Sequence, residues 1–458
     1  MIGNKINLQN FFLLILWTSL WLSIGINPEL LIDYFNNSNE REASNFKFTL
    51  KFLRIFFPLL FSIFFFYLII KKNLIFKRIF ILNITSLLLV LYFFVQTVSL
   101  ILSENNIINF YWIYTSVVIY LIVLSGLPAK LELIKFLFYI SIFILFVVFF
   151  KFTLPMYTKF FSSNYSFYNM WPVIYDYDFS VPRPTGLSRT ALILVIFLLC
   201  FEFNNYLYNK LKTPLLIFLG LTICLFQSRT ILILWPLLII LSLILKNYKF
   251  VKIVKKLFIL ILLPILLFFS FNGFKILSKY VSGYIELSRS VDTNNKIDTK
   301  NLRELKNMID EDTGKVQILR DTDPRSFSSF RTKHWREILN KTLNDNYLLG
   351  YGPMGDRFLI GTSASSLFFY SLASSGIVGL IIILLLSLRS IYLVLYFIVQ
   401  SKKKDLDDYL IYSCIIITLV FIRGILETSI GIFSIDFCIY IIPALYIEYK
   451  YFLIKKII

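Results

Sequence analysis

Long, unbroken apolar runs alternate along this chain with short polar breaks rich in lysine, and one long hydrophilic stretch interrupts the pattern at residues 274–365. The apolar runs fall at about 11–26, 52–70, 79–102, 107–127, 136–154, 214–227, 230–245, 257–272, 366–400, 409–427 and 430–448, with a further run starting near Arg189. Their continuity, without strand-like alternation, predicts helices that satisfy their own backbone in lipid, not barrel strands. The expected fold class is therefore all-α, a polytopic integral membrane protein of about 12 transmembrane helices with one long external loop. Helices one to nine occupy 1–273, with an aromatic external loop at 155–188. The long loop follows at 274–365, and helices ten to twelve occupy 366–458. The run 366–400 is too long for one crossing of a core of about 30 Å, so part of it is expected in the interface or entering obliquely.

Composition agrees with that pattern and narrows it. With 58% hydrophobic and 16% charged residues in 458, the apolar surface exceeds what a soluble globule hides. The formal net charge of +19 would suggest nucleic acid in a soluble protein, yet 274–361 carries 15 basic and 12 acidic residues, so the excess lies elsewhere. It sits in the short breaks, as at Lys249, Lys252, Lys255 and Lys256, which marks them as cytoplasmic. Nucleic acid is not an expected partner. Both termini then lie inside, the run 11–26 is read as a retained first span, and the long loop lies on the external face. The four cysteines fall in apolar runs without ligand spacing, and one histidine, His334, cannot build a multi-histidine metal site.

Candidate chemistry gathers where the long loop meets the membrane. Arg331 and Trp335 share a helix face at i, i+4, with His334 beside them, and Gly350, Gly352 and Gly355 follow in a turn-prone run. Two near-repeats, SRTALIL from Ser188 and SRTILIL from Ser228, place Arg189 and Arg229 at the external start of inward-running helices. Each is expected to offer a serine cap, free backbone N–H groups and a guanidinium, which suits an anion as well as a plain headgroup anchor. Arg423 and Glu427 are spaced to pair along one helix; alternatively Arg423 faces a cavity, with Glu427 or Asp436 as a base. In the aromatic loop, Trp171 and Tyr175 suit either an interfacial belt or stacking against sugar rings. Arg183-Pro-Thr-Gly186 is expected to turn the chain back into the membrane.

In RPTGLSRT, the second SRT, RTKHW with its glycine run, and ASSLFFYSLASSGIVG, the sequence resembles the O-antigen ligase and polymerase family of bacterial envelope glycan assembly. The resemblance implies a membrane-embedded, metal-independent glycosyltransferase of the bacterial cytoplasmic (inner) membrane, without a cofactor. It further implies undecaprenyl-diphosphate-linked oligosaccharide as substrate, with membrane lipid, a chain-length regulator and a flippase of the same pathway as partners. By position, Arg229 and Arg331 look like the family's diphosphate-holding arginines. Arg183, Arg189, Trp335 and Arg423 would complete the substrate site, with Glu427 the candidate base. Where ligases of the family carry a His-Asn pair, this chain has Ser365 and Ser366. That departure favours a polymerase of O-antigen or related surface polysaccharide over a ligase, and a transporter or flippase of lipid-linked sugar is the alternative of another class.

Overall fold

The computed structural model describes residues 15, 17, 18, 21, 84–103, 131–160, 184–202, 206–271, 331–402, 406–431 and 434–457. The described residues form an all-helical array of eleven helices: α1 (Ile84–Leu102), α2 (Leu131–Phe160), α3 (Pro184–Cys200), α4 (Tyr206–Phe226), α5 (Arg229–Leu245), α6 (Phe250–Phe271), α7 (Arg331–Asp345), α8 (Gly355–Ile360), α9 (Leu367–Ser401), α10 (Asp408–Leu426) and α11 (Ile435–Ile457). Seven of them are long and apolar enough to cross a membrane, and α3 and α5 are shorter apolar helices. The chain is a polytopic membrane protein. The expected spans at 11–26, 52–70 and 107–127 lie largely or wholly outside the described residues.

At the centre stand α3 and α10. Nearly every side chain of α3 is buried, as a helix that is apolar all round requires when other helices surround it. It packs on α2, α4, α5 and α10, and α10 in turn on α9 and α11. Rings from three helices interlock here: Phe138 of α2 lies edge-on to Tyr412 of α10 at 4.7 Å, and Phe197 of α3 joins the same cluster. On the far flank α1 lies along α9, tied by Tyr92 to Ser371 and by Gln96 to Ser374.

Two prolines behave differently from expectation. Pro155, expected to open the aromatic loop, lies inside α2, which continues to Phe160. An interior proline costs about 3 kcal/mol, but Met156 and Phe160 are fully buried beyond it and the Tyr157 hydroxyl shares a hydrogen bond with Thr222, which offsets that cost. Pro184, read as part of a turn, is helical, and the described part of α3 begins with it.

The long run at 366–400 resolves into one helix with a break. Within α9, Gly376 takes φ 61°, ψ −159°, outside helical geometry. The break is stitched by the glycine run before it. Tyr351 and Gly352 donate their N–H groups to the carbonyls of Ala373 and Ser374, and the N–H of Ile377 turns to Tyr347, all at 2.8 Å. A buried break keeps every backbone group paired only if a second backbone comes this close. A Cβ on Gly376 would lie 2.3 Å from the Leu348 carbonyl group, and one on Gly350 would lie 2.6 Å from the Gly376 nitrogen.

Candidate functional site

Gln227, with φ 52°, turns α4 sharply into α5, so α3 and α5 start at the same end of the bundle. The start of α9, the end of α10 and the start of α11 meet there too, because Gly424 and Gly431 pack directly on Leu367 and Tyr370. All the described arginines singled out by the sequence lie at this end or on α7 above it.

Arg189 of α3 and Arg423 of α10 converge on one carboxylate. Asp436, in the first turn of α11, accepts from Arg189 Nη1 at 3.1 Å through one oxygen and from Arg423 Nη1 through the other. The side chains are 13%, 9% and 5% exposed respectively, so the cluster is largely dehydrated. The two guanidiniums share Asp436, and Glu427 acts electrostatically on Arg189 from nearby, so the charges balance where water screens little. Arg189 Nε is moreover buried without a hydrogen-bond partner among the described residues, as is the Ser188 hydroxyl next to it. An oxyanion entering here would meet a donor already oriented and unsatisfied.

Sequence spacing did not foresee this pairing. Arg423 was matched to Glu427 along α10, but Glu427 is the residue where the helix stops, in extended geometry (φ −148°, ψ 155°) and half-buried. Leaving the helix carries Glu427 off the Arg423 face, and Arg423 is paired with Asp436 instead. The chain then passes through a single 3-10 turn, Ser429–Gly431, held by the Ser429 hydroxyl on the Val420 carbonyl. Asp436, weighed earlier only as a base, is the hub. Its signal was an acid in the first turn of a helix whose next charge, Glu448, follows only after an apolar stretch.

The two SRT motifs also prove unequal. Because α3 starts at Pro184, Ser188 lies a full turn inside the helix and does not cap it, and Arg189 is drawn into the packed interior. In the second motif Ser228 does occupy the cap position, without a side-chain cap bond, and Arg229 is the first helical residue and exposed. Arg229 therefore sits beside the unpaired N–H groups of a helix start, free to reach an anion.

Arg331 begins α7 and is half-buried. Four residues on, Trp335 donates its indole N–H to the Ala364 carbonyl at 2.7 Å and stacks on Phe369 of α9, centroids 5.0 Å apart and 7° from parallel. With Ile338 buried below it, Trp335 clamps α7 onto the start of α9, and Arg331 stands one helical turn before that clamp. Asp356 of α8 is buried and accepts from the N–H groups of Ala364 and Arg357. Burial pushes its carboxyl above the ordinary range against those two bonds. Arg183, Trp171 and Tyr175 lie outside the described residues.

One further charge pair was missed. Arg389 of α9 and Glu448 of α11 form a two-pronged ion pair, both bonds 2.8 Å, with Thr85 of α1 donating to the same carboxylate at 2.6 Å. Ionised groups are thus not confined to one end of the bundle. Within apolar runs, a lone arginine and a lone glutamate 59 positions apart gave no sign of being neighbours.

Residues 214–384, under half of the 458-residue chain, match the family model described as O-antigen ligase. The match begins inside α4 and ends inside α9, so it contains Arg229, Arg331 and Trp335 and leaves out Arg189, Arg423, Glu427 and Asp436. No curated protein and no solved structure matches the chain.

Proposed function

From a chain whose residues 214–384 form an O-antigen ligase family domain, we propose that the protein is a membrane-embedded polymerase of lipid-linked oligosaccharide repeat units. It transfers the growing glycan from undecaprenyl diphosphate to the next lipid-linked repeat unit at the external membrane face. The observation that carries this reading is the buried Arg189–Asp436–Arg423 cluster, with Arg189 Nε left without a partner among the described residues, at the same bundle end as exposed Arg229.

In the transfer, a hydroxyl of the acceptor sugar attacks the anomeric carbon of the donor glycan. The bond from that carbon to the diphosphate oxygen breaks, and the electron pair leaves with the polyprenyl diphosphate. Arg229, at a helix start, and Arg331, on α7, contact the diphosphate and offset its growing charge by bidentate bonds. Arg189, through its Nε, unpartnered among the described residues, adds a further donor at the same end. Asp436 is occupied as the shared counter-ion of Arg189 and Arg423, which leaves half-buried Glu427 as the carboxylate placed to take the hydroxyl proton. The break in α9 is held by the glycine run and by α7 packed on it, and the prenyl tail stays in lipid.

Ser365 and Ser366 stand where ligases of the family carry His-Asn, and the lack of that pair supports polymerisation over ligation. The test is to incubate the purified protein with lipid-linked repeat units alone. A ladder of products differing by one repeat is expected. Product that forms only after a second lipid acceptor is added would overturn the polymerase reading in favour of a ligase. Transbilayer movement without any new glycosidic bond would overturn the enzyme reading in favour of a transporter.

A further inference from the structure

At the opposite end of the bundle, where α3 ends and α6 begins, a cleft of about 590 Å³ opens between α3, α4, α5 and α6. Lys212, Lys252, Lys255 and Lys256 line it, together with Tyr248 and one carboxylate, Glu202. That carboxylate is already engaged by Lys246 at 3.0 Å, so it does not neutralise the four lysines of the cleft. Their placement is convergent. The ammonium groups of Lys252 and Lys256 approach the ring of Tyr248 to 4.6 and 3.9 Å from its centroid, and Lys212 donates to the Phe201 carbonyl at 3.0 Å on the facing wall. Like charges gathered in a concave, partly apolar site repel one another and focus a field that an entering anion relieves.

The rest of the cleft says what carries the anion. Its floor is apolar, from residues such as Leu216 and Ile259. The first turns of α6 are two-faced: Lys252, Lys255 and Lys256 face the cleft, and Phe250 and Val254, 78% and 49% exposed, project from the other side. A helix of this kind lies at a membrane surface with its apolar side in acyl chains and its lysines at headgroup depth. A five-residue π turn, Phe258–Leu262, then carries α6 into the span.

We propose that this cleft is a binding site for an anionic phospholipid, its phosphate among Lys212, Lys252, Lys255 and Lys256 and its acyl chains along the apolar floor and flank of α6. The site is separate from the arginine cluster and does not depend on the glycan reading. Lipid binding to the purified full-length protein in detergent is measured by native mass spectrometry, titrating phosphatidylglycerol, phosphatidylcholine and inorganic phosphate in separate arms. Phosphatidylglycerol is expected to be retained at about tenfold lower concentration than phosphatidylcholine, since lysines at headgroup depth favour an anionic lipid. Replacing all four lysines by glutamine abolishes that preference, and replacing them by arginine keeps it. The single variant Lys256→Gln, which leaves the packing in place, weakens it measurably. Equal retention of the two lipids by the unaltered protein, or an unchanged preference in the folded glutamine variants, overturns the proposal. So does inorganic phosphate binding as tightly as phosphatidylglycerol, which would assign the site to a free anion.

Discussion

Asp436 holds two arginines from two different helices, and its removal leaves both charges buried without their shared partner. Breaking such a pair from one side costs about 3–5 kcal/mol. Asp436→Ala is therefore expected to lower the unfolding midpoint of the protein in detergent sharply, and an unchanged midpoint would mean that the cluster is not dehydrated as described. Arg423→Lys keeps the charge but loses the planar fork, so it should fold and yet transfer glycan poorly. Asp356 answers to pH. Its carboxyl is raised by burial, so the folded state holds its proton more tightly than the unfolded chain does. Its contribution is then fully present below the unfolded carboxylate range and lost as pH rises through the raised value. Protection of the Ala364 amide, which donates to Asp356, should increase as pH falls through that window, and Asp356→Asn should flatten the profile. A sequence could offer Arg189, Arg423 and Asp436 as charged residues in apolar surroundings. It could not say which met which, because the partners lie on three helices and local spacing favoured Glu427.

The element with the most unusual backbone is α9, with its break at Gly376. Gly376 sits at positive φ with backbone 2.3 Å from where a Cβ would lie, and Gly361, also at positive φ, has nothing within 4 Å. Gly376→Ala carries both backbone strain and a clash with a second backbone, whereas Gly361→Ala carries strain alone. The first should destabilise by well over about 1 kcal/mol and abolish transfer, and the second should cost about that much and leave transfer largely intact. Thermal unfolding of the two variants, run beside product formation, checks the difference; equal effects would contradict the stitched break. Much of this element was legible. The run at 366–400 announced itself as too long for one straight crossing, and the glycine run before it announced a tight turn. What sequence could not show is that the two are one feature, since the bonds from Tyr351 and Gly352 to Ala373 and Ser374 span more than twenty residues. The helix limits at Pro155 and Pro184 were misjudged for a related reason. Proline reports local backbone preference, and burial overrode it, of Met156 and Phe160 beyond Pro155 and of Pro184 itself.

Across the whole molecule, the charged groups sort by type. Arginines gather where α3 and α5 begin, and lysines gather where α3 and α5 end, around Glu202, Lys246 and the start of α6. The pattern of short lysine-rich breaks foretold the second group, and the SRT repeats foretold part of the first. Arg389 and Glu448, paired on the flank between α9 and α11, join the helices without belonging to either end. Such a bundle has one end suited to a diphosphate and the other suited to a charged leaflet. The account stands or falls on the first. Purified protein reconstituted with lipid-linked repeat units should build a product ladder, and Arg229→Ala, which removes an exposed side chain and disturbs no packing, should fold normally and leave the repeat units unextended. A full ladder from that variant, at the rate of the unaltered protein, would contradict the account.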